Sequence, residues 1–472
     1  MATLTLTGGR VIDPRNHIDQ TTDLVLEDGK VKSLGKVSKP GGATIDASSC
    51  IVTPGLIDVH VHLREPGQEE KETIATGAAA AIAGGFTSVC CMPNTSPTID
   101  DDAMVEFVYK QAAKAQLANV FPVGAATKNR KGEQLAEIGL MRKAGAVAYS
   151  DDGTPVGSAR MMRDALTYIA MTGCVFMQHC EDPELGGGAM NAGALASKLG
   201  LAGWPSLAEE LMIQRDIMIA ESLGYRARWH AQHMTTAGGV ALLREGRRRF
   251  EQAVANGNAP QDAFADATAG GIGRITGEVS PHHLLLTEDA CAGYDTHAKM
   301  NPPLRAQSDI DALLEGVADG TISILATDHA PHTREEKERE FAAAPYGIIG
   351  LECALALYIK ALIDPGVIDW PQLISLMSPN GASLCGLDGK GHLGVGADAD
   401  VTVIDPENAW TIDANQFAGK SRNCPFDGWQ VKGRATATIV AGDLKLALDP
   451  GRIQGTPPHA TAPDQLTAIA AT

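Results

Sequence analysis

The chain has 472 residues, with 39 basic and 57 acidic side chains and a formal net charge of −18. This acidic balance argues against a nucleic-acid-binding protein, because phosphate recognition normally needs a basic surface. Hydrophobic residues make up 44% and charged residues 20%, a balance that is typical of a folded protein and excludes a disordered chain.

Both ends of the chain have the pattern of short β-strands. Strands are predicted at residues 3–7, 24–27 and 30–35 and, near the C-terminus, at residues 399–404 and 435–440. Asp28-Gly29 separates two alternating runs, which is a strong hairpin signal. We predict one small β-sandwich domain built from residues 1–53 and 386–450, followed by a loosely held extension at residues 451–472. The first strand follows no positive and apolar leader, so no signal peptide is expected.

The middle of the chain alternates between apolar runs and polar or helical segments. Eight runs predict strands, at residues 56–63, 87–92, 120–125, 146–150, 175–179, 228–234, 276–280 and 322–327. Helices are predicted between them, for example at residues 70–83, 102–118, 131–144 and 207–223. Eight strands alternating with helices predict a (β/α)8 TIM barrel at residues 54–385. A doubly wound open sheet has the same alternation and is the alternative.

Three other features of the sequence concern membrane insertion, the state of the cysteines and one long connection. The apolar stretch at residues 78–92 is too short for a membrane span, and we interpret it as a helix, a glycine turn and a buried strand. Nine cysteines without a CxxC pair predict free thiols in a reducing cytoplasm. The connection at residues 244–274 is unusually long, and its role as surface elaboration, oligomer contact or disordered loop stays open.

Histidine and aspartate side chains gather where the predicted strands end. The first strand ends in DVHVHLR, and residues two apart on a strand face the same side, so His60 and His62 project together as two ligands of one metal must. Strands four, five, six and eight are followed by Asp151-Asp152, His179, His230 with His233, and Asp328. Active sites of (β/α)8 barrels are built at this end of the strands.

These residue types predict a catalytic metal site. Nitrogen and carboxylate ligands without thiolates suit Zn²⁺. His230 and His233 are three apart, so only one of them can face inward, and we expect a structural or supporting role for His282-His283. Asp151 and Asp152 are neighbours, and the residues alone leave open which of them faces the metals.

Six motifs together resemble dihydroorotase, and more narrowly its type I bacterial form within the amidohydrolase superfamily. They are PGLIDVHVHLREPG at residues 54–67, MPNT at 92–95, SDDG at 150–153, HCED at 179–182, NPPLR at 301–305 and ATDHAPH at 326–332. The resemblance extends to GHLGVGADADVTVID near residue 400. It implies zinc-dependent, reversible hydrolysis of the cyclic amide of (S)-dihydroorotate to N-carbamoyl-L-aspartate, the third step of de novo pyrimidine (UMP) biosynthesis.

The resemblance also implies a set of metal ligands. These are His60, His62 and Asp328 for one zinc, and His179 and His233 for a second. Related hydantoinases and allantoinase bridge their metals with a carboxylated lysine at the end of strand four, where this chain has no lysine between Ala144 and Arg160. The type I pattern has an aspartate bridge, which we assign to Asp152, with Asp151 as the competing choice.

Catalytic and substrate-binding roles follow from the same resemblance. Asp328 is implied as the catalytic residue, acting first as general base and then as general acid. Substrate contacts are implied for His62, Arg64, Asn94, Asn301, His332, Tyr346 and Gly347. Arg64 offers a planar fork suited to the substrate carboxylate, and a surface salt bridge is the alternative for it. For Asn94 and Asn301, each beside a proline, the alternative is a structural turn.

Two rival functions predict different residues at the site. A hydantoinase- or allantoinase-like cyclic amidase should carry the lysine that is missing here. A catalytically silent scaffold for aspartate transcarbamoylase should have lost metal ligands, which this chain keeps. The partners implied are dihydroorotate and N-carbamoyl-aspartate as small-molecule substrates, a second copy of the chain in a homodimer, and aspartate transcarbamoylase; no nucleic acid and no membrane is expected.

Overall fold

The protein is described by a computed structural model over residues 3–260 and 272–457. Its strands are β1 (Thr3–Asp13), β2 (Ile18–Glu27), β3 (Lys30–Leu34), β4 (Ala43–Asp46), β5 (Ile51–Pro54), β6 (Leu56–Val61), β7 (Phe86–Cys91), β8 (Asn119–Gly124), β9 (Ala148–Tyr149), β10 (Val175–Gln178), β11 (Met190–Asn191), β12 (Gly203–Trp204), β13 (Arg228–Ala231), β14 (Ile275–Val279), β15 (Ile324–Leu325), β16 (Val401–Thr411), β17 (Gln430–Val440), β18 (Asp443–Ala447) and β19 (Ile453–Gln454). Its α-helices are α1 (Ile74–Gly84), α2 (Asp102–Ala115), α3 (Ile138–Ala144), α4 (Ala159–Ala170), α5 (Ala194–Leu199), α6 (Leu207–Ser222), α7 (Ala237–Ala255), α8 (Pro281–Leu285), α9 (Gln307–Ala318), α10 (Arg334–Lys337), α11 (Ala354–Tyr358), α12 (Trp370–Met377) and α13 (Pro379–Cys385).

The eight predicted barrel strands form one parallel sheet. Its order is β6-β7-β8-β9-β10-β13-β14-β15, which follows the chain. A parallel bridge between Val61 and His329 joins the end of the first strand to the segment after the last. The strand order of a doubly wound sheet reverses at a switch point, and this one does not. The predicted (β/α)8 TIM barrel is therefore confirmed, and the open-sheet alternative is wrong.

The apolar stretch at residues 78–92 has the predicted form of helix, turn and strand. Helix α1 ends at Gly84, and β7 begins at Phe86. Between them Gly85 adopts a φ of 90°, and a Cβ on it would lie 2.7 Å from the Cβ of Ala435. A glycine is needed there because the left-handed turn and the close contact both exclude a side chain.

The helix predicted at residues 131–144 is only half formed. Only Ile138–Ala144 is α-helical. Before it, Leu135 forms a bridge with Thr127, and the backbone N–H of Ala136 donates to the carbonyl oxygen of Ala126. These backbone groups bond to the loop after β8, so they are not available for helical hydrogen bonds. The helical periodicity of this segment was overridden by a tertiary contact.

The two termini build a second sheet. Seven of its strands lie in the order β18-β17-β16-β5-β1-β2-β3, β4 pairs with β1, and β19 pairs with β4. Strand β5 joins the two ends of the chain, because it pairs in parallel with β1 and antiparallel with β16. The predicted composite β domain is thus confirmed, and hydrogen bonds connect its nine strands into one sheet. The domain boundaries at residues 53 and 386 stay predictions.

Several smaller predictions concern the edges of the fold. The tail after residue 450 is held at its start, because Ile453–Gln454 pairs antiparallel with β4, while residues 458–472 lie outside the described residues. The long connection begins within α7, and its residues 261–271 are also outside the described ranges.

All nine cysteines are buried and free, as predicted. Within residues 3–260 and 272–457, no helix is long and apolar enough to cross a membrane.

Candidate active site

The six predicted metal ligands meet in one buried cluster at the carboxyl ends of the barrel strands. They are His60 within β6, His62 after β6, Asp152 after β9, His179 after β10, His233 after β13 and Asp328 after β15. None of these residues is more than 5% exposed. Because the carboxyl ends of the strands meet at one rim, residues that are far apart in the sequence become neighbours there.

Asp152 lies at the centre of the cluster, and its carboxylate faces all four histidines. Atom Oδ1 is 3.3 Å from His179 Nδ1 and 3.5 Å from His233 Nε2. The same oxygen is 3.5 Å from His60 Nε2, and Oδ2 is 3.4 Å from His62 Nε2. This placement is the one that a ligand shared between metal ions requires.

Asp151 serves a different part of the structure. Its Oδ1 accepts hydrogen bonds from the backbone N–H groups of Ala126 and Thr127, at 2.9 and 3.0 Å. Burial raises the pKa of this carboxyl to about 6, although hydrogen bonds from Thr127 oppose the shift. The structure therefore brings Asp152, and not Asp151, to the histidines, while Asp151 fixes the loop after β8.

Asp328 completes the cluster from the last strand. Its Oδ1 is 3.0 Å from His62 Nε2 and 3.5 Å from His60 Nε2. The backbone of Asp328 has a φ of 47°, and His233 and Arg64 also have positive φ angles, of 32° and 61°. Such conformations cost about 1–3 kcal/mol each for residues other than glycine and concentrate at functional sites. Three such residues lie at this site, which indicates that the placement of their side chains is maintained in spite of the backbone strain.

The cluster fits metal binding on its own geometry. Three of its buried atoms have no hydrogen-bond partner, namely His60 Nε2, Asp152 Oδ1 and His233 Nδ1. A buried polar atom without a partner costs about 1–3 kcal/mol, so these atoms require one. Three overlapping sets have all their ligand atoms within 4.8 Å of one another: His60, His62 and Asp152; Asp152, His179 and His233; and His60, His233 and Asp328.

The ionisation of the two aspartates agrees with this reading. Burial favours the neutral form of both carboxyl groups, but the nearby histidines, with His60 foremost, outweigh it and lower the pKa of Asp152 and of Asp328. Both side chains are therefore charged at neutral pH, as ligands of a cation must be.

Glu278, on β14, supports the cluster and was not identified from the sequence. Its Oε1 lies 2.5 Å from His60 Nδ1 and 3.2 Å from the backbone nitrogen of His233, and its Oε2 lies 3.0 Å from His230 Nε2. A carboxylate on Nδ1 fixes the His60 ring and leaves Nε2 to face the cluster. Of the two histidines of the sixth strand, His233 joins the cluster and His230 contacts Glu278. The signal in the sequence is a carboxylate inside the apolar run of strand seven.

Glu181 links the cluster to the neighbouring cavity wall and was also not singled out. Its Oε2 is 2.9 Å from His179 Nε2 and accepts a hydrogen bond from Asn301 Nδ2 at 3.3 Å. His179 is thereby oriented with Nδ1 toward Asp152. The amide of Asn301 keeps its Oδ1 buried without a partner. The HCED motif contains Glu181, but only the fold places it between His179 and Asn301.

A cavity of about 260 Å³ opens beside the cluster. All seven residues predicted to bind substrate line it: His62, Arg64, Asn94, Asn301, His332, Tyr346 and Gly347. Asn94 also supports a ligand, because its Oδ1 lies 2.8 Å from His62 Nδ1. A larger depression of about 790 Å³ lies beside Met171 and Ser222, and among the described residues that line it Arg226 is the only ionisable one.

Arg64 is the buried cation of this cavity. It is only 7% exposed, and its Nε donates to the carbonyl oxygen of Pro331 at 3.1 Å. Burial lowers the pKa of its guanidinium to about 10. No carboxylate in the described ranges forms an ion pair with it, so the surface salt bridge considered as an alternative is absent. A buried cation without a counter-ion suits an anionic ligand.

Three further histidines that the sequence analysis singled out lie near the cluster or the cavity. His332 lines the cavity, with its Nδ1 3.1 Å from Glu336 Oε2. His282 and His283 lie in α8 and outside the three ligand sets, and His283 Nε2 is 3.0 Å from the carbonyl oxygen of Pro302. The contact of His283 agrees with the supporting role expected for it, and the role of His282 stays a prediction.

Comparisons with known proteins agree on the family. Residues 49–237 match the family model described as Dihydro-orotase-like. The chain is 48% identical to a dihydroorotase of Pelotomaculum thermopropionicum, over 94% of this chain and 98% of the relative. It is 47% identical to a dihydroorotase of Geobacter sp. strain M21, over 93% of this chain and 98% of the relative.

Solved structures agree on the fold. The L-hydantoinase (dihydropyrimidinase) of Arthrobacter aurescens superposes with a TM-score of 0.79 and 23% identity, covering 98% of this chain and 99% of that one. The dihydropyrimidinase of Brevibacillus agri gives a TM-score of 0.76 and 20% identity, covering 94% and 95%. The hydantoinases are thus relatives in fold, whereas the similar sequences are dihydroorotases. The chain belongs to the dihydroorotase family of metal-dependent cyclic amidohydrolases.

Proposed function

We propose that the protein catalyses the reversible hydrolysis of the cyclic amide of (S)-dihydroorotate to N-carbamoyl-L-aspartate, in the third step of UMP biosynthesis. The observation that carries the proposal is the unpaired, buried Arg64 in the same cavity as the histidine–aspartate cluster. A substrate that combines a cyclic amide with a carboxylate needs both features. The names of the relatives at 47–48% identity support the same choice among cyclic amidases.

The metal centre is proposed to hold two zinc ions. One would be bound by His60, His62 and Asp328 and the other by His179 and His233, with Asp152 as the shared ligand. Zinc ions so bound acidify water toward a pKa of about 7 and polarise an amide carbonyl. The set of nitrogen and carboxylate donors without thiolate supports zinc in a catalytic role.

Asp328 is proposed to move the proton. It lines the cavity, and its lowered pKa keeps the carboxylate ionised before reaction. It would accept a proton from the attacking water and deliver it to the ring nitrogen that departs. The same group therefore acts as general base and then as general acid.

The other cavity residues would bind and orient the substrate. Arg64, Asn94 and His332 line the cavity and would hold the substrate carboxylate through charge-assisted hydrogen bonds. Asn301, with the backbone of Tyr346 and Gly347, would contact the ring. Holding the carboxylate and the amide at once fixes which bond meets the metals.

The proposal also includes the cellular location and the protein partners of the enzyme. Nine free cysteines support a cytoplasmic location. A homodimer and an association with aspartate transcarbamoylase follow from the family resemblance. The silent-scaffold alternative is disfavoured because all six ligands are present in one cluster.

One experiment tests the function directly. Purified protein is incubated separately with dihydroorotate, hydantoin and allantoin, and its zinc-to-protein ratio is measured. We expect turnover of dihydroorotate far above that of the other two, with about two zinc ions per chain. Faster turnover of hydantoin or allantoin, or zinc-replete protein without dihydroorotate turnover, would refute the proposal.

A further inference from the structure

One wall of the cavity is an irregular segment, residues 341–347, which we call the wall segment. It carries Tyr346 and Gly347 and contains neither helix nor strand. Backbone carbonyl groups of an irregular segment that face the protein interior need donors from elsewhere. In this segment most of them are satisfied by three side chains that lie outside it.

Two buried lysines supply most of these donors. Lys299 Nζ donates to the carbonyl oxygens of Phe341, Ala342 and Ala344, at 2.7, 3.0 and 2.6 Å. Lys337 Nζ donates to those of Pro345 and Gly347, at 3.0 and 3.1 Å. Lys299 also lies 4.4 Å from the ring centre of Tyr346, a cation–π contact.

These ammonium groups are held at an energetic cost. Lys299 is 1% and Lys337 2% exposed, and neither forms an ion pair with a carboxylate in the described ranges. Burial and the proximity of Lys299 lower the pKa of Lys337 to about 7. A buried ammonium without a counter-ion is unfavourable unless its donors are satisfied, and here only backbone carbonyls satisfy them.

The third donor comes from the connection between two strands of the composite sheet. Asn423 lies between β16 and β17, and its Nδ2 donates to the carbonyl oxygens of Gly347 and Ala330, at 3.0 and 2.9 Å. Its Oδ1 accepts the backbone N–H of His332 at 3.2 Å. One side chain therefore ties the wall segment to the loop that carries His332.

The wall segment in turn touches a residue of the binding site. Gly347 has a φ of 148°, and a Cβ on it would lie 2.7 Å from the carbonyl oxygen of Ala330 and 2.8 Å from Cδ2 of His332. The backbone of the wall segment thus packs directly against the His332 ring. A shift of the segment would release this ring and widen the cavity.

We propose that Lys299, Lys337 and Asn423 are positioning residues that hold the wall segment closed against His332 and so set the affinity for substrate. They preorganise the cavity, which lowers the cost of ordering it when substrate binds. They contact the wall and not the reacting atoms, so they should affect binding more than chemistry. The inference rests on the proposed function, because dihydroorotate is taken as the molecule that meets the wall.

The test compares Lys337→Met and Asn423→Asp with the wild-type enzyme. Asn423→Asp keeps the size and the acceptor of Asn423 and removes its donor, so it guards against a folding failure of the lysine variant. The matched control is Lys390→Met, because Lys390 is paired with Asp398 and Asp400 and does not line the cavity. Hydrogen exchange of peptides covering residues 341–349, KM, kcat and zinc content are measured for each protein.

We expect both variants to exchange the wall segment about tenfold faster or more and to raise KM by about tenfold. kcat should change by less than about threefold and zinc content should not change. The control should match wild type in all four readouts. Unchanged exchange at the wall, an unchanged KM, or a fall in kcat as large as the rise in KM would overturn the proposal. Hydrogen exchange needs no substrate, so a wild-type protein inactive on dihydroorotate would refute the proposed function separately.

Discussion

At the scale of single residues, Asp151 and Asp152 show how neighbours in one motif acquire different tasks. Asp152 faces four histidines, whereas Asp151 accepts two backbone hydrogen bonds from the loop after β8. Asp152→Ala should therefore lower zinc content to below about one ion per chain and reduce kcat/KM by about a thousandfold. Asp151→Ala should retain zinc and lose about 1–3 kcal/mol of unfolding free energy. Metal analysis measures the zinc content, and thermal unfolding measures the stability. The opposite pattern would assign the role of shared ligand to Asp151.

Asp328 is the residue on which the proposed chemistry depends. Asp328→Asn keeps the shape of the side chain but removes the proton acceptor, so kcat should fall by about 10²–10⁴-fold in zinc-replete protein. Far-ultraviolet circular dichroism should match wild type, because the change is nearly isosteric. Near-normal turnover in this variant, with zinc bound, would refute the role of Asp328 as general base and general acid.

His332 should make substrate binding depend on pH. Burial and the Arg64 cation lower the pKa of His332 to about 3, with Glu336 opposing the shift. A carboxylate bound beside Arg64 would raise this pKa toward the ordinary value of about 6.5. Binding would then take up a proton below about pH 6.5, and affinity should increase as pH falls through that range.

Calorimetry checks this with dihydroorotate and the inactive Asp328→Asn variant, in buffers of different ionisation enthalpy. Proton uptake is expected at pH 6 and should vanish by pH 8. Adding His332→Asn to the variant should abolish the uptake. Equal uptake with and without the histidine would show that another group titrates.

At the scale of elements, strand β14 supports the histidine–aspartate cluster through a residue that belongs to none of the six sequence motifs. Glu278 holds the ring of His60 from the side opposite the cluster. Glu278→Gln should weaken zinc binding by about 10–100-fold, because the carboxylate that orients His60 is lost. Competition with a chromogenic chelator measures this affinity. Wild-type zinc affinity in the variant would mean that the barrel alone orients His60.

The elements themselves were predictable to different degrees. The eight barrel strands could be predicted because each is a short apolar run bounded by polar residues. The segment at residues 131–137 could not, since its backbone bonds to Ala126 and Thr127 in a loop that is adjacent only in the fold. For the same reason Glu278, Glu181 and Asn423 were missed, because each of them contacts residues that are far away in the sequence.

At the scale of the whole molecule, the metal centre should contribute to stability. The cluster joins the ends of five strands, and its unpaired buried atoms are costly without metal. Chelation should lower Tm, and zinc should restore it, because a ligand at about a thousand times its Kd stabilises the native state by about 4 kcal/mol. Differential scanning calorimetry measures the shift. An identical Tm before and after verified zinc removal would contradict it.

The sequence alone determined the strand-and-helix alternation, the composite domain from both termini, and the residue types at the strand ends, because these depend on local patterns of period two and on short motifs. Only the tertiary structure decided which of Asp151 and Asp152, and which of His230 and His233, joins the histidine–aspartate cluster. It alone also brought Lys299, Lys337 and Asn423 to one cavity wall. Side-chain direction at a strand end and contacts between distant segments depend on how the barrel closes, and no local pattern encodes that.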